Sequence, residues 1–199
     1  MFVYEKKLQY PVRIARPSPK LASIVISQYG GPDGELGASM RYLSQRYSMP
    51  YPELKGLLTD IGTEELGHLE MIGAIVHQLT RSLTEEQQAE EGFAPYFVDH
   101  TTGVFPQFAS GFPWSTATMQ VTGDPIADLT EDLAAEQKAR LSYDNILRLS
   151  DDPDLTDVIR FLREREIVHF QRFGEALQKL RERIDEKNIY AINSAIDRK

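Results

Sequence analysis

The chain has 199 residues, 41% of them apolar and 26% charged, with a net charge of −8. That is enough for one domain with a single buried core. The acidic balance and the lack of any Lys/Arg-rich run argue against nucleic acid or an anionic membrane surface as partner. There is no cysteine, which excludes disulfides, thiolate zinc sites and cysteine-ligated iron–sulfur clusters. The N-terminus lacks the apolar h-region of a secretory signal, and no stretch approaches the roughly 20 apolar residues of a membrane span. Synthesis in the cytoplasm is the expectation.

Residues 1–17 contain Pro11 and Pro17 and alternate weakly, as an extended arm would. Residues 18–48 follow a helical pattern with a defect at Gly30-Gly31-Pro32, where a missing N–H and two permissive glycines predict a kink or break. Pro52 opens a second helix at its first position. Its apolar residues follow a 4-3-4-3 spacing through Leu54, Leu58 and Ile61, then Ile72, Ile75 and Leu79. Residues 82–123 form a long connection rich in Gly, Pro and aromatics, with Thr84 placed to cap a short acidic helix. Asp124-Pro125 and Asp152-Pro153 each set an acceptor before a first-turn proline and start the third and fourth helices. The third carries Ile126, Leu129, Leu133 and Leu147 on one face; the fourth repeats the seam with Leu155, Ile159, Leu162, Phe173, Ala176 and Leu180. Residues 1–185 read as one all-α domain, a four-helix bundle with a single long crossover, and 186–199 as a polar tail.

One pattern occurs twice, 101 positions apart: Glu35, Tyr42, Pro52, Leu58, Glu65 and His68, then Glu136, Tyr143, Pro153, Ile159, Glu166 and His169. Each copy is a lone Glu followed 30 residues later by Glu-x-x-His. The i, i+3 spacing puts the Glu and His of each pair on one helix face, and they fill the gap in each apolar seam. A charged Glu facing an apolar core is costly unless it is paired or bound to metal. Four inward carboxylates with two imidazoles, and no inward Lys or Arg nearby, would be neutralised by two divalent cations. This is the ligand inventory of a ferritin-like di-metal bundle, and carboxylate with imidazole and no sulfur suits manganese or iron.

Tyr42 and Tyr143 each lie two turns after a lone Glu, placed for a hydrogen bond to a ligand carboxylate or for core packing. His77 and His100 read as surface histidines, Glu64 and Glu70 as outward-facing and solvated. Trp114 and the loop phenylalanines read as packing or interface residues. Lys138 and Arg140 lie close to Glu136 in sequence.

The segments GGPDGELGASMRYLSQRY, LLTDIGTEELGHLEMIGAIV, GDPIADLTEDLAAEQKAR and SDDPDLTDVIRFLREREIVHFQRF resemble those of manganese catalases. The resemblance is greatest to the short spore-coat members of the CotJC type, whose arm VYEKKLQYP is similar. It implies that Glu35, Glu65, His68, Glu136 and His169 hold two manganese ions. By the same resemblance Glu65 would bridge them, Glu35 and His68 would complete one ion, and Glu136 and His169 the other. Glu166 would be an outer-shell carboxyl that handles protons, so that the repeat is structural but not functional, and Tyr42 would assist it. The implied reaction is disproportionation of hydrogen peroxide to water and oxygen. The implied setting is a homo-oligomer, a hexamer by family analogy, among other spore coat proteins. Longer members carry a C-terminal extension that this chain lacks, and Ala135 precedes Glu136 where members vary in a basic residue. Two other readings share the ligand set: a di-iron oxidase or iron-handling protein, and a structural coat component.

Overall fold

The computed structural model describes residues 7–90 and 92–187. Eight α-helices appear among them: α1 (Pro19–Val25), α2 (Ser27–Gly30), α3 (Glu35–Gln45), α4 (Pro52–Thr80), α5 (Glu85–Glu90), α6 (Ala94–His100), α7 (Pro125–Leu149) and α8 (Pro153–Lys187). Helices α3, α4, α7 and α8 make the bundle, with α3 packed along α4 and α7 along α8. The fold is a ferritin-like helical bundle, as the periodicity predicts.

The start signals act as expected. Asp124 Oδ1 accepts from the backbone N–H of Ile126 and Ala127 at 3.0 and 2.8 Å, ahead of Pro125. Asp152 Oδ1 accepts from Asp154 N–H at 2.9 Å, ahead of Pro153. At Thr84 the side-chain oxygen accepts from Gln87 N–H, and Gln87 Oε1 accepts from Thr84 N–H, a reciprocal cap for α5. The expected break falls between α2 and α3, where Gly31 is extended and the helix restarts at Glu35. Gly30 sits against the crossover: a Cβ there would lie 2.3 Å from the backbone of Pro106 and Gln107. The glycine is needed for close approach of the loop.

All twelve seam residues of α4 and α8 are buried, and they divide between two apolar clusters. Leu54, Leu58 and Ile61 pack with Phe173, Ala176 and Leu180; Ile72, Ile75 and Leu79 pack with Leu155, Ile159 and Leu162. The start of each long helix therefore meets the end of the other, and the two helices run antiparallel. Between the clusters lie the Glu and His positions, at mid-bundle. Leu129 is buried, and Ile126, Leu133 and Leu147 are partly buried against the clusters.

Residues 7–17 form neither helix nor strand, with bends at residues 7, 9, 10 and 16, and are tied to the end of α4. Ile14 N–H donates to Gln78 Oε1 at 2.8 Å, Gln78 Nε2 donates to Val12 O at 3.0 Å, and Arg81 donates to Ile14 O at 2.9 Å. The crossover holds more order than its composition suggests. Within it α6 packs Phe93, Tyr96 and Phe97 into the core, and a 3₁₀ turn spans Thr116–Thr118. The polar tail 186–199 lies outside the described residues except for its first two, Glu186 and Lys187, which continue α8.

Candidate metal centre

Six side chains converge at mid-bundle, all of them buried: Glu35 from α3, Glu65 and His68 from α4, Glu136 from α7, Glu166 and His169 from α8. They form two overlapping groups with ligand atoms within 4.8 Å of one another, Glu35/Glu65/His68/Glu166 and Glu65/Glu136/Glu166/His169. Each half of the repeat contributes, and each half is matched in distance. Glu65 Oε2 lies 2.7 Å from His68 Nδ1, and Glu65 Oε1 lies 2.8 Å from His169 Nδ1. Glu35 Oε2 is 3.7 Å from His68 Nδ1, and Glu136 Oε2 is 3.6 Å from His169 Nδ1. The imidazole ring centroids lie 5.7 Å apart, with the ring planes tilted by 23°. Glu65 thus presents one oxygen to each half.

The polar atoms of this cluster are not satisfied by one another. Glu65 Oε1, Glu136 Oε2, Glu166 Oε1 and His169 Nδ1 are buried without hydrogen-bond partners, and the 2.8 Å approach of His169 Nδ1 to Glu65 Oε1 is off the line of a hydrogen bond. Each unmet buried polar atom costs about 1–3 kcal/mol, more when charged. Lone pairs of carboxylate and imidazole that point at common points are what divalent cations satisfy, so the residues present fit a pair of metal ions.

Electrostatics separate the two Glu residues that the repeat equates. Burial pushes Glu65 up, but His169 and His68 outweigh it and hold its carboxyl well below the usual range. Burial pushes Glu166 well above its usual value, and Glu136, Glu65 and Glu35 push it further the same way. The two carboxyls are thus driven in opposite directions, Glu65 toward the anion and Glu166 toward the protonated form. Glu35 is raised to about 7, first by burial and then by Glu65, with His68 opposing. Burial pulls His169 down, but Glu65, Glu136 and Glu64 together push it up to about 12; His68 is raised in the same way, by Glu65 first among its neighbours.

The two tyrosines are buried and cross between halves. Tyr42 O–H donates to Glu136 Oε1 at 2.6 Å, and Tyr143 O–H donates to Glu35 Oε1. Each holds the lone Glu of the other copy, a pairing that sequence distance along one helix does not suggest.

Three expectations are corrected. Glu64 is not a solvated outward residue: its carboxylate lies behind the two histidines, with Oε2 3.1 Å from His169 Nε2 and Oε1 3.5 Å from His68 Nε2. Being next in chain to Glu65 turns it about 100° around α4, which leads into the α4–α8 interface rather than into water. Second, inward cations do exist near the site. Arg41 is completely buried on α3, beside the buried Asp132 of α7, and its Nη2 donates to Thr118 O at 3.4 Å. The crossover covers this face of α3, and burial raises the Asp132 carboxyl well above its usual range, with Gln45 and Arg41 opposing. Third, His100 is half-buried, stacked on Phe105 with ring centroids 4.0 Å apart. Lys138 and Arg140 do not join the cluster: Lys138 pairs with Asp33 at 2.9 Å, and Arg140 with Asp144 at 2.5 Å. His77 and Glu70 are exposed, as expected. Ala135 is buried.

Comparison with known proteins agrees with this geometry. The profile of the family described as manganese containing catalase matches residues 1–191. The chain is 54% identical over 190 residues to Protein CotJC of Bacillus subtilis (strain 168), covering 96% of this chain and 100% of that protein. It is 35% identical to a probable manganese catalase of Clostridium acetobutylicum, covering 91% of this chain and 81% of that one. The crystal structure of KatB, a manganese catalase from Anabaena PCC7120, superposes with a TM-score of 0.84 at 31% identity, over 90% of this chain and 81% of that one. With a family-profile match over residues 1–191, relatives at 54% and 35% identity and a shared fold, the chain belongs to the manganese catalase family.

Proposed function

We propose that this protein is a dimanganese catalase that converts two hydrogen peroxide molecules into two waters and one dioxygen. The observation that carries the reading is the buried cluster itself: Glu65 presents one oxygen to each histidine, at 2.7 and 2.8 Å, and Glu166 belongs to the ligand groups of both halves. Glu65 would bridge two manganese ions, with Glu35 and His68 on one and Glu136 and His169 on the other. When bound, the metal pair supplies a two-electron reservoir and open positions for peroxide.

The chain's own residues do the rest. Glu166 holds a proton at a carboxyl whose raised affinity lets it take one up from peroxide after ionising and return it to the departing oxygen. Tyr42 fixes Glu136 at 2.6 Å, and Tyr143 fixes Glu35, so neither lone carboxylate can swing into the space that peroxide needs. The apolar clusters on either side limit water around the site and strengthen these interactions.

Assembly and location rest on likeness rather than geometry. Identity to CotJC over that protein's whole length supports association with the spore coat. A homo-oligomer, a hexamer by family analogy, is part of this proposal, and exposed Tyr47, Val98, Phe112 and Leu149 offer apolar surface for it.

The test loads the purified full chain with manganese and measures oxygen release from peroxide. Stoichiometric manganese with no oxygen release overturns the reading. Iron retained in preference to manganese, with oxidase activity, would install the di-iron alternative, for which Glu166 lies close enough to act as a direct ligand.

A further inference from the structure

Behind the candidate metal ligands, on the side away from the carboxylate cluster, stands a single carboxylate shared by both histidines. Glu64 Oε2 lies 3.1 Å from His169 Nε2, and Glu64 Oε1 stands 3.5 Å from His68 Nε2, a nitrogen with no hydrogen-bond partner. The carboxylate is itself clamped. Arg165 reaches it with two nitrogens, Nε to Oε1 at 2.7 Å and Nη2 to Oε2 at 3.2 Å, and Gln9 of the arm donates to Oε1 at 2.8 Å. The four side chains around it come from three different parts of the chain: His68 from α4, His169 and Arg165 from α8, and Gln9 from the arm.

We propose that Glu64 is the positioning residue that makes both imidazoles into Nδ1 metal ligands at once. This rests on the di-metal reading above. A neutral imidazole carries one N–H, and the hydrogen bond made by one nitrogen decides which nitrogen keeps a free lone pair. In the metal-free site His68 Nδ1 shares a proton with Glu65 Oε2 at 2.7 Å; once cations take the place of that proton, the Glu64 carboxylate, which only accepts, would hold the proton of each imidazole on the Nε2 that faces it. Both Nδ1 lone pairs are then left to face Glu65, Glu35 and Glu136. Arg165 and Gln9 offset the buried negative charge and stop the carboxylate from turning away toward one histidine. The two metal subsites are therefore coupled twice, in front through Glu65 and behind through Glu64.

Glu64→Gln separates this role from packing. The amide keeps the shape but offers one acceptor and one donor. It can accept from one Nε2–H, while the other histidine meets an N–H, must present Nε2 as acceptor, and so carries its proton on Nδ1. The variant is expected to bind one manganese per chain tightly and the second about 10–100-fold more weakly. The readouts are metal analysis of the full chain after adding manganese(II) alone, and electron paramagnetic resonance. The wild type should give the spectrum of an exchange-coupled pair and the variant that of isolated manganese(II). Two ions bound with wild-type affinity and a coupled spectrum overturn the proposal. If Glu64→Gln fails to fold, Arg165→Met leaves the carboxylate and removes its clamp. A second-ion affinity lowered by about tenfold supports the role, and unchanged binding of both ions overturns it. A wild type that binds two ions without releasing oxygen defeats the catalase reading and leaves this one standing; an active wild type with a fully loaded Glu64→Gln does the reverse.

Discussion

Glu166 is where chemistry and repeat part company, and single substitutions there and at its neighbours separate the roles. Glu166→Gln keeps the shape and removes the exchangeable proton. Metal content is expected to stay at the wild-type level while oxygen release falls by about 10²–10⁴, the usual worth of a positioned proton donor and acceptor. Parallel metal analysis and oxygen-electrode assays check it, and a fall in both together would make Glu166 a ligand instead. Tyr42→Phe removes the 2.6 Å hydrogen bond to Glu136 and leaves a buried carboxylate oxygen unmet. The expected cost is about 1–3 kcal/mol in metal-free stability, read by urea unfolding. Since Tyr143 holds Glu35 instead, Tyr143→Phe should affect the other half, and the double variant should lose roughly the sum unless the halves couple.

At the scale of elements, position is set by helix starts and by one tight approach. Four prolines, Pro19, Pro52, Pro125 and Pro153, each stand at a first helical turn, so the phase of every bundle helix after α3 is set locally. The α2–α3 break is written locally in Gly30-Gly31-Pro32, but its Gly30 also admits the close approach of the crossover. Gly30→Ala would drive a Cβ to 2.3 Å from the backbone of Pro106 and Gln107. The crossover would have to lift, and destabilisation of about 1–3 kcal/mol is expected. Thermal unfolding of the metal-free protein measures it, and an unchanged midpoint would contradict the packing described. The loss should carry to Arg41 and Gln45, which are held by the crossover carbonyls of Thr118 and Gln120.

For the whole molecule, metal and protons compete for one cavity. Without metal, His169 is raised from 6.5 to about 12, so its contribution to stability is fully present below pH 6.5 and fades as pH rises through about 12. Glu35, raised from 4.5 to about 7, favours the metal-free fold at low pH and opposes it increasingly as pH rises from about 4.5 to 7. Both signs agree: metal-free protein is most stable in mild acid and least ready there to accept cations. Loading should release a proton from each histidine, and manganese affinity should climb steeply from pH 5.5 to 8 in calorimetric titrations run in buffers of different ionisation enthalpy. Saturation at about a thousandfold excess over the dissociation constant adds about 4 kcal/mol, a rise on the order of 10 °C in unfolding temperature for a chain of this size. Chelator treatment should reverse it.

Much of this was legible in the chain itself, because helical periodicity is a local property. The 4-3-4-3 seams, the Asp-Pro and Pro starts and the paired Glu-x-x-His spacing are each written within a few turns, and they suffice to specify the bundle and the inward-facing Glu and His side chains. What lay beyond reach depends on which helix lies against which. The repeat makes Glu65 and Glu166 look alike; only the two imidazoles beside Glu65 and the three carboxylates beside Glu166 give one a negative charge and the other a proton. The crossed tyrosines require two hairpins to face each other. No inward Arg is expected where Arg41 stands, and Glu64 reads as a surface residue, because charge on a helix usually means solvent. A crossover that covers the one and a neighbouring helix that covers the other are facts of three dimensions, and no spacing along a single helix encodes them.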